Sequence, residues 1–198
     1  STGQVYLSDQ ERQEGVLLID FGAEFTRLHY FKDHKLYWSH VIPLGGATLT
    51  RDVALCMDVS ESEAERLKVV HGDILLQRVD KNKVISVNRV QKERLQEKKY
   101  LLCQIIEARM AEWSTLIETA LSEAKIDCPQ WVVGGGSQSL TGLSDYLETW
   151  FQVRVRLGLH AEVRSILEDP AYGNALGLIL YGLKVQALPI NPISNVNW

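Results

Sequence analysis

Residues 15–22, GVLLIDFG, form an unbroken apolar run closed by a glycine, the pattern of a strand buried on both faces that enters a tight turn. Apolar and polar positions alternate over residues 26–31, TRLHYF, and residues 36–43 are rich in aromatic and β-branched side chains, so both segments read as strands. Lys32-Asp33-His34-Lys35 between them is a polar turn. Three strands joined by short turns predict an antiparallel meander.

After Gly45-Gly46 the period changes. Leu49, Val53 and Cys56 are spaced for a helix over 47–56, and Ser60 with Glu63 has capping-box spacing, which predicts a second helix ending near Gly72. Residues 73–79 and 83–88 read as short β runs around a hairpin turn at Asp80-Lys81-Asn82-Lys83, and the charged stretch 90–99 as the start of an exposed helix. From about Glu97 to Lys125, Leu101, Ile105, Ala108, Trp113, Leu116, Ile117 and Leu121 recur at three and four, which predicts the longest helix. A strand over 130–133 runs into Gly134-Gly135-Gly136-Ser137, followed by a helix over Leu143–Phe151 and a short strand over Val153–Leu157. A small-residue helix is predicted over Ala171–Leu183, and residues 184–198, with Pro189 and Pro192, read as an irregular tail. This order argues for a mixed α/β sheet carrying an inserted subdomain.

Composition narrows the class without naming a function. A net charge of −4 leaves no broad basic field for nucleic acid. No apolar run reaches the roughly 20 residues that cross a bilayer, and the polar residues 1–14 do not make a signal peptide. Cys56, Cys103 and Cys128 are odd in number and scattered, which fits reduced thiols in the cytoplasm rather than a disulfide framework or a metal site.

Three strings are candidates for chemistry. Asp20-Phe21-Gly22 ends a strand: it is either a plain turn or one whose backbone N–H groups cradle phosphate while the carboxylate holds a hydrated metal ion. Gly134-Gly135-Gly136-Ser137 spends backbone entropy on three glycines, either for a simple β–α turn or to let a ligand approach the main chain. Glu65 and Lys68, at i and i+3, share a helix face and form either a surface ion pair or a bracket for a ribose and a base edge.

The order and spacing of these strings, together with Pro43-Leu44-Gly45-Gly46, Glu63-Ala64-Glu65-x-x-Lys68, Gly72, Ile105-Ile106-x-Ala108-Arg109-Met110 and Gly177-Leu178, resemble the second half of the actin, DnaK-type chaperone and sugar-kinase superfamily. Within it the chain is most similar to FtsA-type bacterial cell-division proteins, over about residues 14–183. The resemblance implies an α/β, actin-like ATPase (ribonuclease H-like) fold half, its mixed sheet starting with the antiparallel meander and carrying an inserted smaller α+β subdomain. Residues 15–46 and 111–183 would form the larger subdomain and 47–110 the smaller, flanked by the segment 1–14 and the tail 184–198. Asp20 and Gly22 would sit in a phosphate loop, Glu65 and Lys68 would line an adenosine pocket, and Gly135, Gly136 and Ser137 would form the adenosine loop.

Two departures from the family pattern shape the functional expectation. The family's phosphate loop reads Asp-x-Gly-Gly-Gly-Thr-Thr-Asp. Here Ala23, Glu24, Phe25, Thr26 and Arg27 follow Gly22, so a carboxylate stands near a triphosphate's charge, a ring replaces a small hydroxyl side chain, and an arginine replaces an acid. The first half, with the other wall of the cleft, is expected to be missing. ATP with Mg2+ is therefore expected in a full-length protein and weak or absent here, with no catalytic residue and no turnover. The partner expected from the resemblance is the FtsZ C-terminal tail, with self-association into filaments and no nucleic acid. Membrane attachment would need an anchor helix, which Pro189 and Pro192 forbid in the tail, so the protein would work in the cytoplasm at the inner face of the division site. Residues 78–99 carry eight basic against three acidic side chains, and Arg78, Arg89, Lys92 and Arg94 are candidates to meet an acidic or carboxylate-ended peptide. The other readings are the C-terminal half of a different actin-like ATPase or sugar kinase, and a pilus-assembly actin homologue.

Overall fold

The structure is a computed structural model that describes residues 2–89, 95–158 and 173–186. Strands β1 (Val16–Phe21), β2 (Thr26–Lys32) and β3 (Lys35–Ile42) form the expected meander. β6 (Gln130–Gly134) adds in parallel to the other side of β1, and β7 (Arg154–Leu157) in parallel to β6, giving the order β3-β2-β1-β6-β7. All six residues of β1 are buried, because the strand lies in the middle of the sheet and both its faces are covered. Leu17, Ile19 and Phe21 point into the main core, while Val16 and Leu18 join a second cluster with Val5, Tyr6, Leu7 and Val132.

That second cluster gives the polar opening segment a structural role that its composition hides. Helices α1 (Thr2–Tyr6) and α2 (Asp9–Glu14) cover the back of the sheet. Ser8 and Glu11 make a complete capping box at the start of α2, and Glu11 also accepts from Arg156 Nε of β7 at 2.9 Å. Burial raises the Glu11 carboxyl, but the bonds from Arg156 and Ser8 outweigh it and its pKa lies below the ordinary value. α1 packs against α7 (Gly173–Gln186), the small-residue helix.

On the other face lie α3 (Gly46–Met57), α4 (Glu61–His71), the ribbon β4 (Val84–Val87)–β5 (Leu95–Lys98), and the 26-residue α5 (Lys99–Ala124). α5 runs unbroken through position 110, and α6 (Leu143–Phe151) follows the glycine turn, as its spacing predicts. Trp113 of α5 meets Phe21 edge-on with ring centres 4.9 Å apart, fixing the long helix over the end of the central strand. The buried row on α5 is Leu102, Cys103, Ile106, Met110, Trp113, Ile117 and Leu121, whereas Leu101 and Leu116 are exposed. Sequence periodicity selects the neighbouring row at the start of the helix because Leu101-Leu102 and Ile105-Ile106 make two adjacent rows apolar.

Two sequence expectations fail around residue 80. Residues 73–79 are not a strand: the Asp73 carboxylate accepts from Leu75 N–H, Ile74 N–H donates to Thr141 O, and Leu76–Arg78 form a short 3-10 turn. The partner of β4 is instead the charged stretch 95–98, from Val84 opposite Lys98 to Val87 opposite Leu95, which was expected to be helical. Ile85 and Val87 supply its buried side and Arg89 pairs with Glu97 at 2.5 Å. The three cysteines are free, as their scatter suggests, and no helix among the described residues is long and apolar enough to cross a membrane.

The capping box at α4 is half present. Ser60 accepts from Glu63 N–H, but the Glu63 side chain turns away to bind both Arg66 nitrogens at 2.7 Å and the backbone and side-chain amides of Asn88 at 3.0 and 3.1 Å. This carboxylate ties α4 to the end of β4. The Arg66 guanidinium, helped by the Asn88 amides and opposed by burial, lowers its pKa from 4.5 to about 2. An unfolded chain takes up this proton near pH 4.5 and the folded chain only near 2, so the stabilisation is full above 4.5 and lost as pH falls to about 2. Allowing for the half-exposed Arg66, it amounts to roughly 2 kcal/mol. Denaturant titration across this acid range checks the assignment: Glu63→Gln is less stable at neutral pH and loses less stability on acidification than the native chain.

Candidate functional site

A cavity of about 530 Å³ opens between α3, α4, α5 and the turn after β6. Its apolar wall comes from Leu49 on α3, Val69 on α4, Met110 and Trp113 on α5, and Leu140 and Leu143 beyond the glycine turn. Its polar rim is Thr50, Glu65, Lys68, Ser137 and Ser139. Such a wall accepts a flat heterocycle, and such a rim can hydrogen-bond hydroxyl groups.

The rim is internally ordered. Lys68 Nζ donates to Gly46 O at 3.2 Å, Thr50 Oγ1 at 2.9 Å and Glu65 Oε2 at 2.6 Å, which uses all three of its protons. Thr50 Oγ1 also lies 2.5 Å from Glu65 Oε2. Partial burial pushes the Glu65 carboxyl up, but the bonds from Lys68 and Thr50 prevail and hold its pKa below the ordinary value. The pair Glu65–Lys68 is therefore part of a network joining α3 to α4, rather than an isolated surface ion pair. Gly46 permits it: a methyl group there would lie 2.6 Å from Ser137 Oγ and 3.7 Å from Lys68 Nζ.

Of the seven residues singled out for nucleotide contact, Glu65, Lys68, Gly136 and Ser137 line the cavity. Asp20, Gly22 and Gly135 lie beside it at the end of β1. Gly135 adopts φ +86°, and a side chain there would come within 2.4 Å of Phe21 O and 2.6 Å of Asp20 Oδ1, so the close approach of the two turns explains the glycine. The fold bonds several of the backbone N–H groups that a phosphate-binding turn would expose at this end. Gly22 N–H donates to Phe25 O at 3.0 Å, Gly46 N–H to Gly22 O at 2.9 Å, Ala47 N–H to Ala23 O at 2.8 Å, and Gly135 N–H to the Tyr6 hydroxyl at 3.3 Å.

The charged residues of the altered loop are paired as well. Asp20, 2% exposed, lies 3.6 Å from Arg27 Nη1, and Arg27 also sits 5.9 Å from the centre of the exposed Phe25 ring. Glu24 meets Arg51 at 3.0 Å on the surface. This donor set does not fit a divalent cation: the one buried carboxylate of the turn already faces a guanidinium. No group of three His, Cys, Asp or Glu side chains gathers in metal-binding proximity among the described residues. Among the residues proposed for partner contact, Arg78 pairs with Asp145 at 2.6 Å and Arg89 with Glu97, while Lys92 and Arg94 lie outside the described residues.

Nothing local in the sequence marks Thr50, Arg51 and Leu140, and Trp113 reads there only as one apolar position of the long helix. Arg109, quoted only within a family string, proves to bind Asp52 bidentately at 2.5 and 2.9 Å, locking α3 against α5 behind the cavity.

Comparison with solved structures identifies the fold. The chain resembles MreB5 of Spiroplasma citri bound to ADP, with a TM-score of 0.69 and 14% identity, over 88% of this chain and 55% of that one. It also resembles PilM in the PilM-PilN type IV pilus biogenesis complex, with a TM-score of 0.65, 19% identity and 88% and 47% coverage. A MamK double helical filament gives 0.62, 15%, 85% and 54%. The architecture is thus the actin-like ATPase fold. Among curated sequences, Cell division protein FtsA of Agrobacterium fabrum is 30% identical over 91% of this chain and 43% of its own length, and that of Pseudomonas aeruginosa 27% identical over 91% and 45%. The chain spans about half the length of the curated relatives it matches. The family model for Cell division protein FtsA matches residues 17–177, and the chain belongs to the FtsA family of cell-division proteins.

Proposed function

We propose that this chain supplies a nucleotide-facing wall of an FtsA-type division scaffold, binding adenine nucleotide weakly and without turnover while offering the FtsZ ring a docking surface. One observation carries the nucleotide part: the Lys68–Thr50–Glu65 network and Ser137 form the rim of a cavity whose opposite wall is apolar. A purine suits the apolar wall, and a ribose the hydroxyl- and charge-bearing rim. The solved relatives include one bound to ADP and one bound to AMPPNP, which supports the same ligand class here. A hydrolytic role is disfavoured because the turn that would orient phosphate has its Gly22 amide bonded internally and Glu24 on its surface.

Residues 15–46 with 111–183 act in this reading as the larger subdomain and 47–110 as the smaller. The FtsZ tail docks on the smaller, self-association builds filaments as MamK does, and the assembly works on the cytoplasmic side of the division site. Lys81 and Lys83 are exposed on the β4 side of this smaller piece, and Lys81 lies 5.4 Å over the Tyr100 ring. With Arg78 and Arg89 held by acids, these lysines carry the steering charge toward an acidic or carboxylate-ended tail.

Two measurements test the reading. Calorimetry with ATP shows binding weaker than micromolar and no release of ADP, and Lys68→Ala weakens it roughly tenfold by dismantling the bonds that order Thr50 and Glu65 on the rim. Micromolar binding with product release would defeat the scaffold assignment. For the docking surface, Lys81→Glu with Lys83→Glu weakens binding of an FtsZ tail peptide, more so at low salt than at moderate salt, while circular dichroism stays unchanged. Equal affinity in the double variant removes this surface from the proposal.

A further inference from the structure

The end of the cavity at β1 is electrostatically closed by the chain's own groups. A polyphosphate needs backbone N–H donors, free cations or a bound metal ion. Four amides at this end, at Gly22, Gly46, Ala47 and Gly135, already donate to Phe25 O, Gly22 O, Ala23 O and Tyr6. The two cations are matched by two carboxylates, Arg27 by Asp20 and Arg51 by Glu24, so the formal charge of the group is zero. Arg27 also covers the turn itself, with Nη1 placed 3.7 Å from where a side chain on Gly22 would begin. The guanidinium thus faces the carboxylate that a metal-dependent site would keep for its cation.

We infer that this cavity selects its ligand by the nucleoside alone, with Arg27 standing in for a divalent cation, so that affinity depends neither on Mg2+ nor on the number of phosphates. This rests on the nucleotide reading above and sharpens it. Each added phosphate brings negative charge to a group of zero formal charge whose amides at Gly22, Gly46, Ala47 and Gly135 are already bonded, and therefore gains nothing from them. Mg2+ gains nothing because Asp20 is already neutralised.

Titrating adenosine, AMP, ADP and ATP into the 198-residue chain, each in Mg2+ and again in EDTA, decides the matter, with heat and tryptophan emission as readouts. All eight affinities are expected to agree within about threefold, since neither charge nor metal contributes. Arg27→Gln then exposes Asp20: adenosine binds as before, while ATP weakens in EDTA and recovers by about tenfold or more with Mg2+. Adenosine affinity serves as the folding control for that variant. In the native chain, ATP tightened about tenfold by Mg2+, or bound about tenfold more strongly than adenosine, overturns this inference and leaves the nucleotide reading standing. An Arg27→Gln chain whose ATP affinity ignores Mg2+ also overturns it. If none of the four ligands binds, both fall together.

Discussion

Three turns, at Gly22, Gly46 and Gly135, approach one another so closely that side chains at the last two would collide with Ser137, Asp20 or Phe21 O. This contact is where the end of the central strand, the start of α3 and the end of β6 become one rigid unit. Its hydrogen bonds run from α3 to the first turn, through Gly46 to Gly22 and Ala47 to Ala23. Phe21, leaving β1 at the same point, anchors Trp113 and with it the long helix. The cavity is the space left beside this junction. A larger residue at Gly46 or Gly135 therefore strains the sheet connection and the cavity rim together.

The same economy of donors that makes the junction rigid sets its chemistry. A turn that binds phosphate must leave main-chain N–H groups unsatisfied until the ligand arrives, which costs stability in the empty state. Here the N–H groups of Gly22 and Gly135 are satisfied within the fold, and the charges of Glu24, Arg27, Asp20 and Arg51 are paired off. Bonding these groups within the fold stabilises the isolated junction. The rim formed by α3 and α4 differs. Thr50, Glu65 and Lys68 are ordered by one another at the mouth of an apolar space, so the polar groups remain accessible without being orphaned.

The fold was legible where a segment's own pattern decided its structure. The unbroken apolar run of β1, the aromatic β3 and the isolated amphipathic Leu143–Phe151 are local facts. It was illegible where a distant partner decided. Residues 95–98 are charged and look helical, yet they form a strand because Ile85 and Val87 need a neighbour while the polar side chains of the stretch stay at the surface. Residues 1–14 read only as a polar segment, but Val5, Tyr6 and Leu7 close the back of the sheet. In the site, Glu65, Lys68, Gly136 and Ser137 could be marked from motif spacing. Thr50 and Trp113 could not, since their importance lies in an α3–α4 bond and an α5–β1 contact that no short string encodes. The pairing of Arg27 with Asp20 follows from register, Asp20 opposite Arg27 across β1 and β2, and it becomes visible once the hairpin is known.

Tyr6 shows how far the junction reaches. Its ring lies against Gly134 and its hydroxyl accepts from Gly135 N–H, with the hydroxyl pKa raised by burial and by the Asp20 charge against the effect of that bond. Arg156, from the far strand, donates to Tyr6 O at 2.6 Å and to Glu11 of α2. The covering helices on the back of the sheet are thus bonded to the glycine turn whose next two residues, Gly136 and Ser137, line the cavity. A side chain at Gly135 would collide with Phe21 O and Asp20, and its own amide is bonded to Tyr6, so the wall of the cavity and the back of the sheet are packed as one body.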